Sequence, residues 1–360
     1  MLLDDVIIEN VFLEKIVKNR EYNELIQIHY ERLHKEMKDD KLRRKRDSLK
    51  DCNALWILDK YEIAKVKDFK KTNLCKDKFC NNCKKVKQAS RMGKFIPLIR
   101  PYAKNMYQLT LTVPNVKGEQ LGETIDKLFK AFTKLVEYMK GKEKIKDVDF
   151  SKLEYEGAIR SLEITYKGNE YHPHLHALIV LHVNPLDDCM ILKHKNVYSK
   201  DFKGKREERL FSDTEILIQK IWYLLINKQK VTKKAIDSLK KGYSCQLDKF
   251  KEADFIELFK YMTKATNEDD ESMNYRQFKI LYYALLNRRQ IQGYGCFYNL
   301  KDEDISVEEV EKLYDQLIEE LQQKESPLSV CETPNELMQD NEYILISRKR
   351  VYSHLKKIKD

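Results

Sequence analysis

The chain has 360 residues, 42% hydrophobic and 35% charged, enough to bury a sizeable core in more than one structural unit. Its 68 Lys and Arg outnumber 58 Asp and Glu, a net charge of +10 that suits a polyanionic partner. Eight cysteines are too sparse for a disulfide scaffold, and the longest apolar runs, such as 177–181, are far too short to cross a bilayer.

The opening MLLDDVIIEN places acids where a secretory signal needs positive charge, so a cytoplasmic location is expected. Residues 1–50 read as a helical, charged region closing on KLRRKRDSLK at 41–50. Such a run is either a solvated helix face or a surface for phosphates. A zinc-binding segment is expected over 51–100. There Cys75-x4-Cys80-x2-Cys83, with Cys52 upstream, offers four thiolates, the donor set of a closed tetrahedral zinc site. The basic stretch KKVKQASRMGK at 84–94 follows.

A core domain is expected over 101–300. Residues 107–113 alternate as a strand, with Tyr107, Leu109, Leu111 and Val113 on one face and Gln108, Thr110 and Thr112 on the other; Pro114 ends it. Helical spacing of Leu121, Ile125, Leu128, Phe132, Leu135 and Met139 predicts a helix over 121–140. A strand at 157–166, the turn residues KGNE at 167–170 and a histidine-bearing strand predict a hairpin. Further helices are expected at 213–227, 252–266 and 275–287, an edge strand at 243–250 and a short strand at 293–300. Residues 301–360 read as an acidic helix, Asp302 to Lys324, and a basic tail. The pattern predicts an α+β fold: a central antiparallel sheet of about five strands with packed helices, plus the zinc-binding segment and a helical C-terminal extension.

From Tyr171 to Val183 the chain reads YHPHLHALIVLHV. A period of two puts His172, His174 and His176 on one strand face and Leu175, Ala177, Ile179 and Leu181 on the other. Both faces are covered, as in a central strand. Any one histidine could be a satisfied core residue; three together fit a shared metal, because neutral imidazole is the commonest protein ligand. Along 252–266, Glu257, Tyr261 and Lys264 stand at i, i+4 and i+7, so one stripe offers a carboxylate, a phenol and an ammonium. Taken alone that stripe is an exposed helix face.

Three stretches in this order resemble the rolling-circle plasmid replication initiators of the HUH endonuclease superfamily. They are LTLTVPN at 109–115, HPHLHALIV at 172–180 with its His174-Leu175-His176 element, and ELFKYMTK at 257–264. The cysteine pattern ahead of them is similar too. The resemblance implies an HUH core and metal-dependent, site-specific nicking and joining of single-stranded DNA at an origin through a 5′-phosphotyrosine. It implies Tyr261 as nucleophile, Lys264 to neutralise phosphate or orient the phenol, and Glu257 to activate water for the last cleavage.

His174 and His176 would hold Mg²⁺ or Mn²⁺. Two imidazoles are too few for these oxygen-seeking ions, so a third ligand is expected from Glu163, which is preferred, or His172, which Pro173 could hold outside the regular strand. The implied partners are double-stranded origin DNA, the single-stranded nick site, a host helicase and the replication machinery, with no membrane. A single-tyrosine transposase or a relaxase would share the fold, although in relaxases the tyrosine precedes the histidines. A zinc-containing DNA-binding regulator without chemistry is the alternative of a different class.

Overall fold

A computed structural model describes residues 10–52, 55–59, 69–72, 75–81, 83, 98–186, 192–194, 209–250, 273–299 and 343–347. The chain divides into two compact units, Met1–Phe95 with Ile305–Asp360, and Ile96–Asp304.

In the first unit, helix α1 (Asn10–Met37) turns through Lys38, at φ +55, into α2 (Asp40–Asp51). Asp39 caps α2 by accepting a hydrogen bond from Lys41 N at 2.8 Å, satisfying one of the donors a helix start leaves open. Leu42 and Leu49 of α2 are buried, as are Ile26, Tyr30 and Leu33 of α1, so Lys41, Arg43, Arg44 and Lys50 of the basic run stay exposed. A three-stranded antiparallel sheet accompanies the helices: β1 (Leu55–Asp59) lies between β2 (Phe69–Thr72) and the C-terminal strand Tyr343–Ser347. No strand is expected from the sequence in any of these three stretches. The acidic helix predicted from Asp302 to Lys324 lies outside the described residues.

The second unit is an α+β fold on an antiparallel sheet, as the alternating segments predict. Its elements are β3 (Met106–Thr112), β4 (Val116–Lys117), α3 (Gly118–Met139), β5 (Tyr155–Lys167), β6 (Glu170–Leu181), the short pair β7 (Leu192–His194) and β8 (Arg209–Phe211), α4 (Asp213–Ile226), α5 (Lys233–Ser238), β9 (Cys245–Lys249), α6 (Tyr275–Leu285) and β10 (Ile291–Gly295). The main sheet runs β10-β5-β6-β3-β9, with β4 also on β6. The histidine strand β6 is therefore central and β9 is an edge.

Hairpin β5–β6 sets the register. Lys167 pairs with Glu170 across a two-residue loop in which Gly168 takes φ +58, a left-handed value that a side chain would resist. The apolar stripe of α3 is buried. Helix α4 opens with a capping box: Ser212 Oγ accepts from Glu215 N, and Glu215 Oε2 accepts from Ser212 N. Glu215 Oε1 also accepts from Leu247 N at 2.7 Å, tying α4 to β9. Trp222 of α4 is fully buried and donates its indole N–H to Thr112 O at 2.9 Å. At the far side, Arg288 donates to Asp126 of α3 at 2.7 and 2.8 Å and to the carbonyls of Tyr283 and Ala284 at the end of α6.

The last strand corrects the prediction of 293–300: it occupies Ile291–Gly295 at the other sheet edge, beside β5. Gly295, at φ +64, ends it, and Cys296–Tyr298 turn back through Phe297 N to Tyr294 O and Tyr298 N to Gly295 O. Among the described residues no helix is long and apolar enough to cross a membrane.

Candidate metal centres and catalytic site

Alternation along three adjacent strands gathers one polar patch. In the β5–β6 register Glu163 faces His174, Ser161 faces His176 and Thr165 faces His172; across β3, Thr110 faces His176 and Thr112 faces His174. Glu163 Oε2 lies 2.7 Å from His174 Nε2 and 2.8 Å from His176 Nε2. All three are nearly buried, with exposures of 4%, 9% and 7% in the order Glu163, His174, His176. Burial alone would raise the Glu163 carboxyl, but hydrogen bonds from the two imidazoles and their charge outweigh it and bring it down to about 2.

The donor set suits a divalent ion. Two imidazole nitrogens and a carboxylate oxygen converge within 4.8 Å of one another, and such a triad leaves coordination positions open to a substrate. His174 Nδ1 lies 3.2 Å from the carbonyl of His172, an atom that only accepts, so with an ion bound Nδ1 would keep its proton and leave the Nε2 lone pair for the metal. Hydrogen bonding at the far nitrogen is the usual way a ligating histidine is oriented. His172 is not among the converging donors: its ring sits 5.1 Å from that of His174, and its carbonyl meets the far nitrogen of His174 instead. Pro173 leaves the strand regular, contrary to expectation. It pairs with Ile164 and falls between the ladder with β3, which ends at His174, and that with β4, which begins at Tyr171.

A second cluster stands in the first unit. The sulfurs of Cys52, Cys75, Cys80 and Cys83 lie together, with Cys52 to Cys80 at 3.6 Å, Cys52 to Cys83 at 3.7 Å and Cys75 to Cys83 at 3.5 Å. Tetrahedral zinc with Zn–S bonds of about 2.3 Å sets its sulfurs about 3.8 Å apart, so this spacing fits. Hydrogen bonding of the Cys75 thiol to the sulfurs of Cys52, Cys80 and Cys83, then burial, pushes it up; a bound cation would let all four sulfurs ionise together. Backbone N–H groups of Lys76 and Cys83 point at the sulfurs of Cys83 and Cys80.

Residues 66–194 match the family model described as "Replication protein". That segment is similar to the replication protein family. Among curated relatives, a "Protein rep" of Staphylococcus aureus is 33% identical over 150 residues, 39% of this chain and 60% of the relative. A "Protein rep" of Bacillus amyloliquefaciens is 32% identical over 170 residues, 45% of this chain and 46% of that one. One from Bacillus sp is 34% identical over 130 residues, covering 34% and 38% of the two chains. The chain thus spans three fifths or less of these relatives. No solved structure matches it.

The matched segment contains Cys75, Cys80, Cys83, Glu163, His172, His174 and His176. The structure brings Glu163, His174 and His176 together and Cys52 with the other three cysteines. Glu257, Tyr261 and Lys264 lie outside the described residues. Two supporting residues are not evident from the sequence alone. Asn23 donates to Cys80 Sγ at 3.5 Å and accepts from Asn81 N; buried Asp77 accepts from Tyr30 OH and Phe79 N, each at 2.8 Å, and pairs with Lys45. For Asp77, its place between Cys75 and Cys80 was the available signal. Asn23 carried none.

Proposed function

We propose that this chain initiates rolling-circle replication of a plasmid by nicking and rejoining one DNA strand at the origin. The observation that carries the reading is the convergence of Glu163, His174 and His176 on neighbouring strands of a segment that matches the replication protein family. A central histidine strand in an antiparallel sheet also supports an HUH core.

In this reading Tyr261 attacks the scissile phosphorus. A bond forms between the phenol oxygen and phosphorus, the bond from phosphorus to the 3′ oxygen breaks, and the phenol proton is balanced by protonation of the departing oxygen. The products are a 5′-phosphotyrosine, which stores the energy for rejoining, and a free 3′ hydroxyl that serves as primer. A phenol with a pKa near 10 is a poor nucleophile at neutral pH, so Lys264 is assigned to orient it or to neutralise the phosphate. Glu257 acts as the general base that activates water for the terminal cleavage. Held by Glu163, His174 and His176, Mg²⁺ or Mn²⁺ would supply charge stabilisation at the scissile phosphate.

Cys52, Cys75, Cys80 and Cys83 would hold a structural zinc. The basic stretches 41–50 and 84–94 would grip phosphates of the double-stranded origin. A host helicase and the replication machinery then act on the opened strand, in the cytoplasm.

The test is incubation with supercoiled origin plasmid and Mn²⁺. Nicked circles carrying bound protein are expected, with no adduct from Tyr261→Phe although it still binds the origin. Plasmid left supercoiled by the wild-type chain would favour a regulator without chemistry, and an adduct in Tyr261→Phe would assign the attack to another tyrosine.

A further inference from the structure

Thr110 stands directly opposite His176 in the β3–β6 register, on the face that carries Glu163 and His174. Its Oγ1 lies 3.3 Å from His176 Nδ1, while His176 Nε2 lies 2.8 Å from Glu163 Oε2. The imidazole is thus held at both nitrogens by two different strands. We propose that Thr110 is a positioning residue: its hydroxyl fixes the His176 ring so that Nε2, rather than Nδ1, is presented to the metal. The inference rests on the reading of Glu163, His174 and His176 as the ligand set.

A hydroxyl suits this place because it both donates and accepts. Without an ion, His176 Nε2–H donates to Glu163 and the bare Nδ1 accepts from the Thr110 hydroxyl. With an ion, Nε2 offers its lone pair, the ring proton resides on Nδ1, and the same hydroxyl accepts it. The tether holds in either state. His174 is tethered differently, by the accept-only carbonyl of His172. Thr112, the next threonine on this face and opposite His174, turns its hydroxyl to Ser244 O at 3.0 Å and is the natural control.

The full chain is titrated with Mn²⁺ alone, as wild type, His176→Ala, Thr110→Val, Thr110→Ser and Thr112→Val. Thr110→Val should weaken Mn²⁺ binding by roughly ten- to a hundredfold, the usual cost of losing such a partner, and Thr110→Ser should return it to within about threefold. Thr112→Val should bind as wild type, and the melting temperature without Mn²⁺ should be alike in Thr110→Val and Thr110→Ser. Wild-type affinity in Thr110→Val, with binding lost in His176→Ala, would overturn the role of Thr110 and leave the ligand set standing. Undiminished binding in His176→Ala would instead overturn the ligand set. Equal weakening in Thr110→Ser and Thr110→Val would show that the hydroxyl does not carry the effect and would overturn the proposal. Should Thr110→Val fail to fold, nitrogen resonances of His176 decide: a single tautomer in Thr110→Ser and a mixture in Thr110→Ala is expected, and identical spectra would overturn the proposal.

Discussion

Glu163 and His174 oppose each other directly across the β5–β6 hairpin, carboxylate oxygen to Nε2 at 2.7 Å. Because the same oxygen also meets His176, the carboxylate is the hub of the triad and the one anionic donor it would offer a divalent ion. Glu163→Gln keeps the shape and removes the charge. Mn²⁺ affinity should fall at least about tenfold, and nicking with it, while origin binding persists. Calorimetric titration checks the first, a plasmid-relaxation gel the second; unaltered affinity would place the third ligand elsewhere.

The four sulfurs of the first unit should carry one zinc per chain, measured by atomic emission. Cys80→Ser removes a donor that both Asn23 and the Cys83 N–H address. Its zinc content should drop towards zero, and protease should then cut within residues 10–52, because metal-binding energy of this kind is folding energy. A zinc-loaded, protease-resistant variant would argue against the site.

Arg288 joins α3 to the end of α6, and hydrogen bonding from its guanidinium holds the Asp126 carboxyl below its ordinary value of 3.8. A carboxyl depressed on folding contributes its stability in full above that ordinary value and loses it as the pH falls below. Asp126→Asn should therefore lower the melting temperature slightly at pH 7, and the difference from wild type should vanish on acidification below about pH 4. Melting curves across that range test it, and a gap that widened in acid would have the wrong sign.

Glu257→Ala should leave the first nick intact and impair termination, because only the last cleavage needs activated water. Two-dimensional gels of plasmid intermediates would show concatemers in place of unit-length circles. Normal release of circles would remove the role assigned to Glu257.

Much of the metal face was legible because it depends on local rules. A two-residue loop pairing Lys167 with Glu170 also pairs Glu163 with His174, so register arithmetic places the carboxylate opposite the imidazole from the turn alone. The alternation of Gln108, Thr110 and Thr112 likewise put the threonines on the correct face. What stayed hidden depends on distant partners or on single backbone angles. Asn23 meets Cys80 across 57 residues of chain. The strand after Arg289 shifted because Gly295 turns left-handed where its neighbours look like strand formers. Pro173 misled because its tolerance depends on a gap between two ladders, which no local pattern reveals.

Tyr343–Ser347 runs beside Leu55–Asp59, with the whole second unit between them in the chain. During translation, one edge of β1 must wait for residue 347 to leave the ribosome, long after the histidine strand and its neighbours β3 and β5 have been synthesised. A nonsense codon ahead of Tyr343 would therefore yield a polypeptide in which the imidazole face is fully encoded and the first sheet is one strand short.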